Sequence, residues 1–433
     1  MTWAPSLASE GDSPVSKLVH RVAFAASQRL YLSRLSRLDS NAVRVNPKAL
    51  EYAGLQTMSL SLAGIRSGSG AGHVNLVLPE LSPASFFAGL KTALDVAYVV
   101  AEDMNLPLRL VVFGVTISSA QRKLVRSMLD ARGRPSGAAV EVVAVDAMER
   151  TQFSDSDIWI ATFWTTAHAL DVACKLGIVR PNQVLYLIQD FEPGFLPWST
   201  DYAIASSTYK SGFVPIVNSL PLRDYLSANT DLDAPYLSTF RPQLDLTELR
   251  RAAEIRTASG PLKILFYGRP SKPRNMFKLG VAALRVASST LDAQGIDVHI
   301  ETIGEAHGSI PLLNKKEMTV LGKMSWEAYF SQLASATVFF SLQASPHPSH
   351  PPLDAVASGG HAVVNELGGT RAKLHPRLSA GNADPESLGG ELVAAIHAAR
   401  SRVDTPGFDA AFLASLGSPL LDAVRNASKH LGG

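Results

Sequence analysis

Residues 345–352 read SPHPSHPP, four prolines and two histidines in eight positions, and the chain then turns apolar through LDAVASGG. Three chemistries compete for this stretch. His347 and His350 stand three apart, which invites a metal, but a proline-broken loop denies them helical geometry and no third ligand lies nearby for a closed zinc site. The prolines could also be a plain spacer. The third reading is an anion site, because Pro352 suits a first helical turn and Gly359 and Gly360 end the helix. A helix start over 352–354, with Leu353 in it, presents main-chain N–H groups and a partial positive charge, and the stiff loop would hold those groups open. Asp354 either favours the helix dipole or accepts hydrogen bonds from ribose hydroxyls.

A second candidate anion site is FYGRPSKPRN (266–275). Arg269, Lys272 and Arg274 gather three cations within six residues there, a set that suits a diphosphate or a solvated surface loop. Lys323, in LGKMSW, adds a cation after a later strand. In the first half, ELSPASFFAGLK places Gly89 in or near a helix start, and YLIQDFEPGFLPW ends an apolar run with Asp190 and Glu192. Carboxylates in that position could orient or deprotonate a hydroxyl, or one of them could cap the turn. Other motifs carry less. GSGAGH (68–73) precedes a strand instead of following one, so it reads as a flexible linker, not a dinucleotide fingerprint. DSD (155–157) also precedes its strand, against a metal-binding Asp-x-Asp. Cys174 has no nucleophile signature and reads as a buried small apolar residue.

The elements that must position these residues alternate in type. HVNLVLPEL (73–81), LRLVVFGV (108–115), AVEVVAV (139–145), DIWIATFW (157–164) and VLYLIQDF (184–191) read as strands. FFAGLKTALDVAYVVAEDM (86–104) and SAQRKLVRSMLDARG read as helices between them. After RPQLDLTELRRAAEIRTASGP the alternation restarts with LKILFYG (262–268), DVHIETIG (297–304), MTVLG (318–322), ATVFFSL (336–342) and HAVVNE (361–366) as strands. Helices are expected at 276–291, 325–334 and 352–358. Continuous apolar strands separated by helices predict parallel sheets covered on both faces. The expected fold class is α/β, with two doubly wound, Rossmann-like domains facing across a cleft at their strand carboxyl ends. The expected divisions are an N-terminal basic helical extension and linker (1–70), a first domain (71–240), a linker (241–260), a second domain (261–385) and C-terminal helices (386–433).

Composition narrows the function classes. The 433 residues exceed one ordinary core, and 46% hydrophobic with 18% charged residues is globular. Lys plus Arg is 40 against 38 acids, a net +2 that argues against a dedicated nucleic-acid partner. No apolar run approaches the roughly 18 to 20 residues of a membrane span. MTWAPSLASEGDSP lacks the basic and apolar regions of a secretory signal, and the single cysteine fits a reducing compartment, so a cytoplasmic protein is expected. Residues 1–50 hold seven Lys/Arg against three acids, with Val15, Leu18, Val22, Leu32, Leu35 and Leu38 at helical spacing. Residues 14–40 could be a basic amphipathic helix in peripheral contact with an anionic membrane, or a helix packed on the fold.

These residues together resemble glycosyltransferase family 4 of the GT-B fold, and more specifically the WsaF-type bacterial rhamnosyltransferases that use dTDP-L-rhamnose. The resemblance runs from about 73 to 370 and is carried by HVNLVLPELSPASFFAGLK, DIWIATFWTTAHAL, YLIQDFEPGF, FYGRPSKPRNMFKLG, the LGKMSW to SPHPSHPPLDAVASGG stretch and VVNELGG. It implies a retaining transferase that needs no metal or other cofactor, with a nucleotide-sugar donor on the C-terminal domain and a saccharide or lipid-linked glycan acceptor on the N-terminal one. By motif, Arg269 matches the family's diphosphate-binding arginine, Arg274 stands where many members have Lys, and Asp354 matches the second acid of the Glu-x7-Glu pattern, expected on the donor ribose. Pro346 stands where the first acid belongs, which suits a deoxysugar bound otherwise, through His347. The implied set is then Asp190 and Glu192 for catalysis; Arg269, Arg274, Lys323 and Leu353 for the diphosphate; and Asp354, His347, His350 and Gly89 for nucleoside and sugar. The rival expectations are a GT-B transferase using a UDP- or GDP-hexose, a sugar-binding relative without turnover, and a membrane-recruiting role for residues 1–50.

Overall fold

The computed structural model describes residues 67–79, 88–113, 140–144, 151–257, 260–312, 317–401 and 406–432, with a few isolated positions between them. The basic stretch 14–40 lies outside the described residues, as does SAQRKLVRSMLDARG apart from Lys123.

Two parallel sheets organise the chain. The first contains β1 (Val74–Leu78), β2 (Leu108–Val112), β3 (Glu141–Ala144), β4 (Ile158–Ala161), β5 (Val184–Ile188), β6 (Val214–Asn218) and β7 (Thr239–Phe240), ordered 3-2-1-4-5-6-7. The second contains β8 (Lys263–Gly268), β9 (His299–Gly304), β10 (Thr319–Gly322), β11 (Val338–Phe340), β12 (His361–Asn365) and β13 (Leu378–Gly381), ordered 10-9-8-11-12-13. Each order turns back once, between β1 and β4 and between β8 and β11. At such a switch point the following loops diverge to opposite faces and leave a crevice at the strand carboxyl ends. Both sheets therefore open a binding edge.

Burial explains why apolar runs became strands. Every residue of β1, β2, β4 and β5 is buried, as a sheet covered on both faces requires. The helices supply the cover: α1 (Ala88–Met104), α2 (Trp164–Lys175), α3 (Thr200–Ser207), α4 (Leu220–Asn229), α5 (Leu246–Ile255), α6 (Phe277–Ala293), α7 (Trp326–Ser335), α8 (His350–Ala357), α9 (Pro385–Arg400), α10 (Ala410–Ser415) and α11 (Leu420–Ser428). α9 packs on α6 in the second core, through Leu388, Leu392 and Ile396. α11 returns to the first core, where Ala423, Val424 and Ala427 meet α1 residues such as Leu94 and Ala97. The segment 241–260, expected as a linker, contains α5, whose Leu249 and Ala252 are fully buried in the second domain's core.

GSGAGH is pinned in place. Ser67–Gly68 pairs in parallel with Phe153–Ser154, and Ser154 Oγ donates to Gly70 O at 2.6 Å. A Cβ at Gly72 would lie 2.6 Å from Ser156 O, so the glycine is required by close approach instead of flexibility. Asp157 has structural work: it accepts from His73 N (2.7 Å) and Ser154 N (3.2 Å) and sits 3.7 Å from Arg109 Nη1. Cys174 is half-buried against the first core, and burial pushes its thiol up to about 12.

Candidate functional site

β5 delivers Asp190 to the cleft. Asp190 Oδ1 accepts from Phe191 N at 2.8 Å and from the hydroxyl of Ser345, a residue of the other domain. Burial raises its pKa, while the Ser345 and Phe191 hydrogen bonds and the charges of Arg274 and Arg371 oppose the rise. Two residues on, Glu192 opens the 3₁₀ turn Glu192–Phe195, with Pro193 second in it, and the chain turns Glu192 inward. Glu192 is 3% exposed, and its Oε2 accepts from Trp164 N at 2.5 Å, the first residue of α2. Burial pushes its carboxyl well above the usual range, despite that hydrogen bond. The two acids, one residue apart in sequence, thus part: Asp190 faces the second domain, and Glu192 anchors a helix start inside the first. Gly89, in the first turn of α1, lies against Gln189, whose Nε2 donates to its carbonyl at 3.0 Å.

On the opposite wall, β8 ends at Gly268 and Arg269 follows, its Nε 3.4 Å from Glu305 Oε1. Glu305 also accepts from Ser271 N and Oγ at 3.0 and 2.7 Å. Arg274 reaches toward the first domain, its guanidinium carbon 4.7 Å from the Phe195 ring centroid. Lys323 is exposed just past β10, the edge strand two places from β8. Arg269 and Arg274 therefore flank the switch point, and Lys323 stands farther along the same edge.

The loop after β11 carries the remaining candidates. His347 is buried; its Nδ1 accepts from Ser349 N at 3.0 Å, which places the ring proton on Nε2. That Nε2 is buried without a hydrogen-bond partner. Burial, reinforced by His350, Arg371 and Arg274, lowers the His347 pKa to about 3, so the ring is a neutral donor. Half-buried His350 lies with its ring 6.1 Å from that of His347, and burial lowers it to about 4.

The helix start differs from the anion site expected of it. Helix α8 begins at His350, so Pro351 and Pro352 fill its second and third positions and carry no N–H, while the Ser349 N–H is used by His347. Of the four N–H groups an ordinary helix leaves open, the His350 N–H remains. The prolines shape the loop at the expense of its donors. Leu353 is fully buried in the core with Phe339 and Val364, so its side chain faces away from any ligand. Asp354 is 4% exposed and accepts from Tyr329 OH at 3.1 Å. Burial raises its pKa to about 8, against the Tyr329 hydrogen bond, so the carboxyl is largely protonated at neutral pH.

One residue with no local signature organises this loop. Arg371 is 1% exposed and donates to the carbonyls of Asn365 (3.0 Å), Gln343 (3.2 Å), His347 (3.3 Å) and Ser345. Asn365 completes the frame, its Oδ1 accepting from Gln343 N at 2.8 Å and its Nδ2 donating to Gln343 O at 3.1 Å. The result is a fixed strip carrying Ser345 and His347 beneath the cleft. Ser345 Oγ accepts from His347 N at 3.2 Å, so its own proton goes to Asp190. The site thus combines a carboxylate accepting from an alcohol, a neutral imidazole donor and two arginines at the sheet edge.

Family models agree with this architecture. The model described as the WsaF N-terminal domain matches residues 73–220, and that described as the WsaF C-terminal domain matches residues 262–393, together well over half of the chain. A curated relative, the O-antigen biosynthesis protein RfbC of Myxococcus xanthus, is 30% identical over 215 residues, which are 48% of this chain but only 16% of that relative. Among solved structures, Anabaena HepE in complex with UDP is 12% identical with a TM-score of 0.49, covering 83% of this chain and 95% of its own. Sucrose-phosphate synthase from Thermosynechococcus elongatus is 13% identical with a TM-score of 0.47, covering 83% and 94%. The chain belongs to the WsaF family.

Proposed function

We propose that the protein transfers a deoxysugar, L-rhamnose from dTDP-L-rhamnose, with retention and without a metal, onto a saccharide or lipid-linked glycan acceptor. The observation that carries this reading is the Asp190 carboxylate accepting an alcohol proton from Ser345 directly across the cleft from Arg274. An acceptor hydroxyl arriving at the same oxygen would be oriented for attack, while Arg269 and Arg274 would stabilise the charge that develops on the leaving diphosphate. The buried, unpartnered Nε2–H of His347 would donate to a donor oxygen that reaches it, in a loop where Pro346 leaves no carboxylate to hold hexose hydroxyls. The name of the Myxococcus xanthus relative supports a place in O-antigen assembly.

The experiment is a comparison of thermal shifts with dTDP, UDP and GDP. This reading expects the largest shift with dTDP and its loss in Arg269→Ala. Equal shifts with UDP or GDP would replace the donor assignment with a hexose donor, and the absence of any nucleotide shift would remove the transferase mechanism described.

A further inference from the structure

The segment that follows Asp190 leads outward along a row of aromatic rings. Phe191, next to the carboxylate, meets Tyr225 edge-on at 5.5 Å. Tyr225 lies in the seam between domains, where a Cβ on Gly368 would come within 2.6 Å of its ring. Tyr202 is near enough to Tyr225 to act on its hydroxyl electrostatically, and Trp198 stacks on Tyr202 at 5.1 Å and 15°. Exposure grows along the row: Phe191, Tyr225 and Tyr202 are half-buried, and Trp198 is 90% exposed. Phe195, three residues before Trp198, lies under Arg274, which fixes the row beside the donor wall.

An indole left almost wholly in water contributes little to folding, and its pairing with Tyr202 keeps a flat apolar face turned outward. Pyranose rings carry C–H groups on one face whose positive edges suit the negative face of an aromatic ring. We propose that Trp198 and Tyr202, continued by Tyr225 and Phe191, form a saccharide-binding track that holds the rings of the acceptor chain beyond the one whose hydroxyl reaches Asp190. This rests on the transferase reading for its orientation, with the reacting ring at Asp190 and the rest of the chain leaving past Trp198. The acceptor is then an oligosaccharide, recognised over several rings.

The test uses the full chain labelled with 5-fluorotryptophan, whose five tryptophans give separate fluorine resonances, with Trp198 assigned from the Trp198→Phe spectrum. Trisaccharides of rhamnose, mannose and N-acetylglucosamine are each titrated to about 20 mM, above the millimolar affinity of a small stacked contact. The expected result is a saturable shift of the Trp198 resonance with at least one of them, none at buried Trp159, and a several-fold weaker titration in Tyr202→Ala. No movement of Trp198 with any of the three overturns the proposal. Thermal shift with dTDP is read on the same sample: if dTDP binds and Trp198 stays still, the track alone falls. If Trp198 shifts and no nucleotide binds, the track stands and the donor assignment falls.

Discussion

Replacing Arg371 tests whether one buried cation holds the donor loop. Arg371→Met keeps the apolar stem of the side chain but removes the buried guanidinium with all four of its hydrogen bonds, so a cavity term adds to the cost of the stranded carbonyls and makes that cost a lower bound. Gln343 O keeps its second donor, Asn365 Nδ2, so the carbonyls of Asn365, Ser345 and His347 are the ones left short. Each buried carbonyl stranded in this way costs about 1 kcal/mol or more, which gives about 3–4 kcal/mol for the set. At a urea slope of about 2 kcal/mol per molar, the unfolding midpoint of the second domain falls by about 1.5–2 M. Trp326 reports that transition, being the tryptophan of the second domain, and a shifted midpoint at unchanged slope is the expected result. Arg371→Lys keeps the charge but not the fork, and falls between. The dTDP-induced thermal shift should vanish in Arg371→Met while the first domain's unfolding stays unchanged. A midpoint within about 0.3 M of the wild type, with nucleotide binding retained, would refute the idea that these carbonyls depend on Arg371.

Three further outcomes follow from the site. Asp190→Asn lowers transfer at least a hundredfold, whereas Glu192→Gln, which can still accept from Trp164 N, retains transfer within several-fold; steady-state rates on one acceptor separate the two acids. The folded-state pKa of His347 lies near 3, below its ordinary 6.5, so the unfolded chain binds the extra proton between those values. Stability is therefore full above about pH 6.5 and declines at up to about 1.4 kcal/mol per unit as pH falls toward 3; His347→Gln should flatten that decline in urea midpoints taken from pH 7 to 4.5. Asp354 has the opposite sign: its folded-state pKa is raised to about 8, so the contribution of the protonated carboxyl is lost as pH rises through 8. That loss spans the range from the ordinary value of 3.8 up to about 8 and is complete above it, so Asp354→Asn should remove a decline in thermal midpoint between about pH 5 and 8, and a decline identical to wild type would refute the assignment.

Much of this was legible in one dimension. Apolar runs such as VNLVL and KILFYG announced strands because a sheet buried on both faces leaves no polar alternation to obscure them. The shorter β7 and β13, and β6 with its Pro215, carried too little pattern to stand out. Asp190 and Glu192 were indistinguishable in sequence, because the 3₁₀ turn at Pro193 that sends one outward and the other inward is a tertiary matter. Arg371, within GGTRAK, looks like any loop arginine; what defines it is four carbonyls contributed by residues six to twenty-eight positions away. Pro351 and Pro352 of SPHPSHPP occupy the first turn of α8, and their missing N–H groups mean that the loop gives up the donors its helix start normally offers.

The return of α11 to the first domain has a consequence for how the molecule is made. The first core includes Ala423, Val424, Ala427 and Leu431, and Ser418 is bridged to Phe240 of β7. A nascent chain that has emerged only through β7 still lacks one wall of its own hydrophobic core. The second core, by contrast, is complete once residue 416 has appeared. The domain encoded later can therefore mature before the one encoded earlier, which waits for residues 420–431 to cover α1. During synthesis, the face of α1 that α11 will cover is left open to a chaperone.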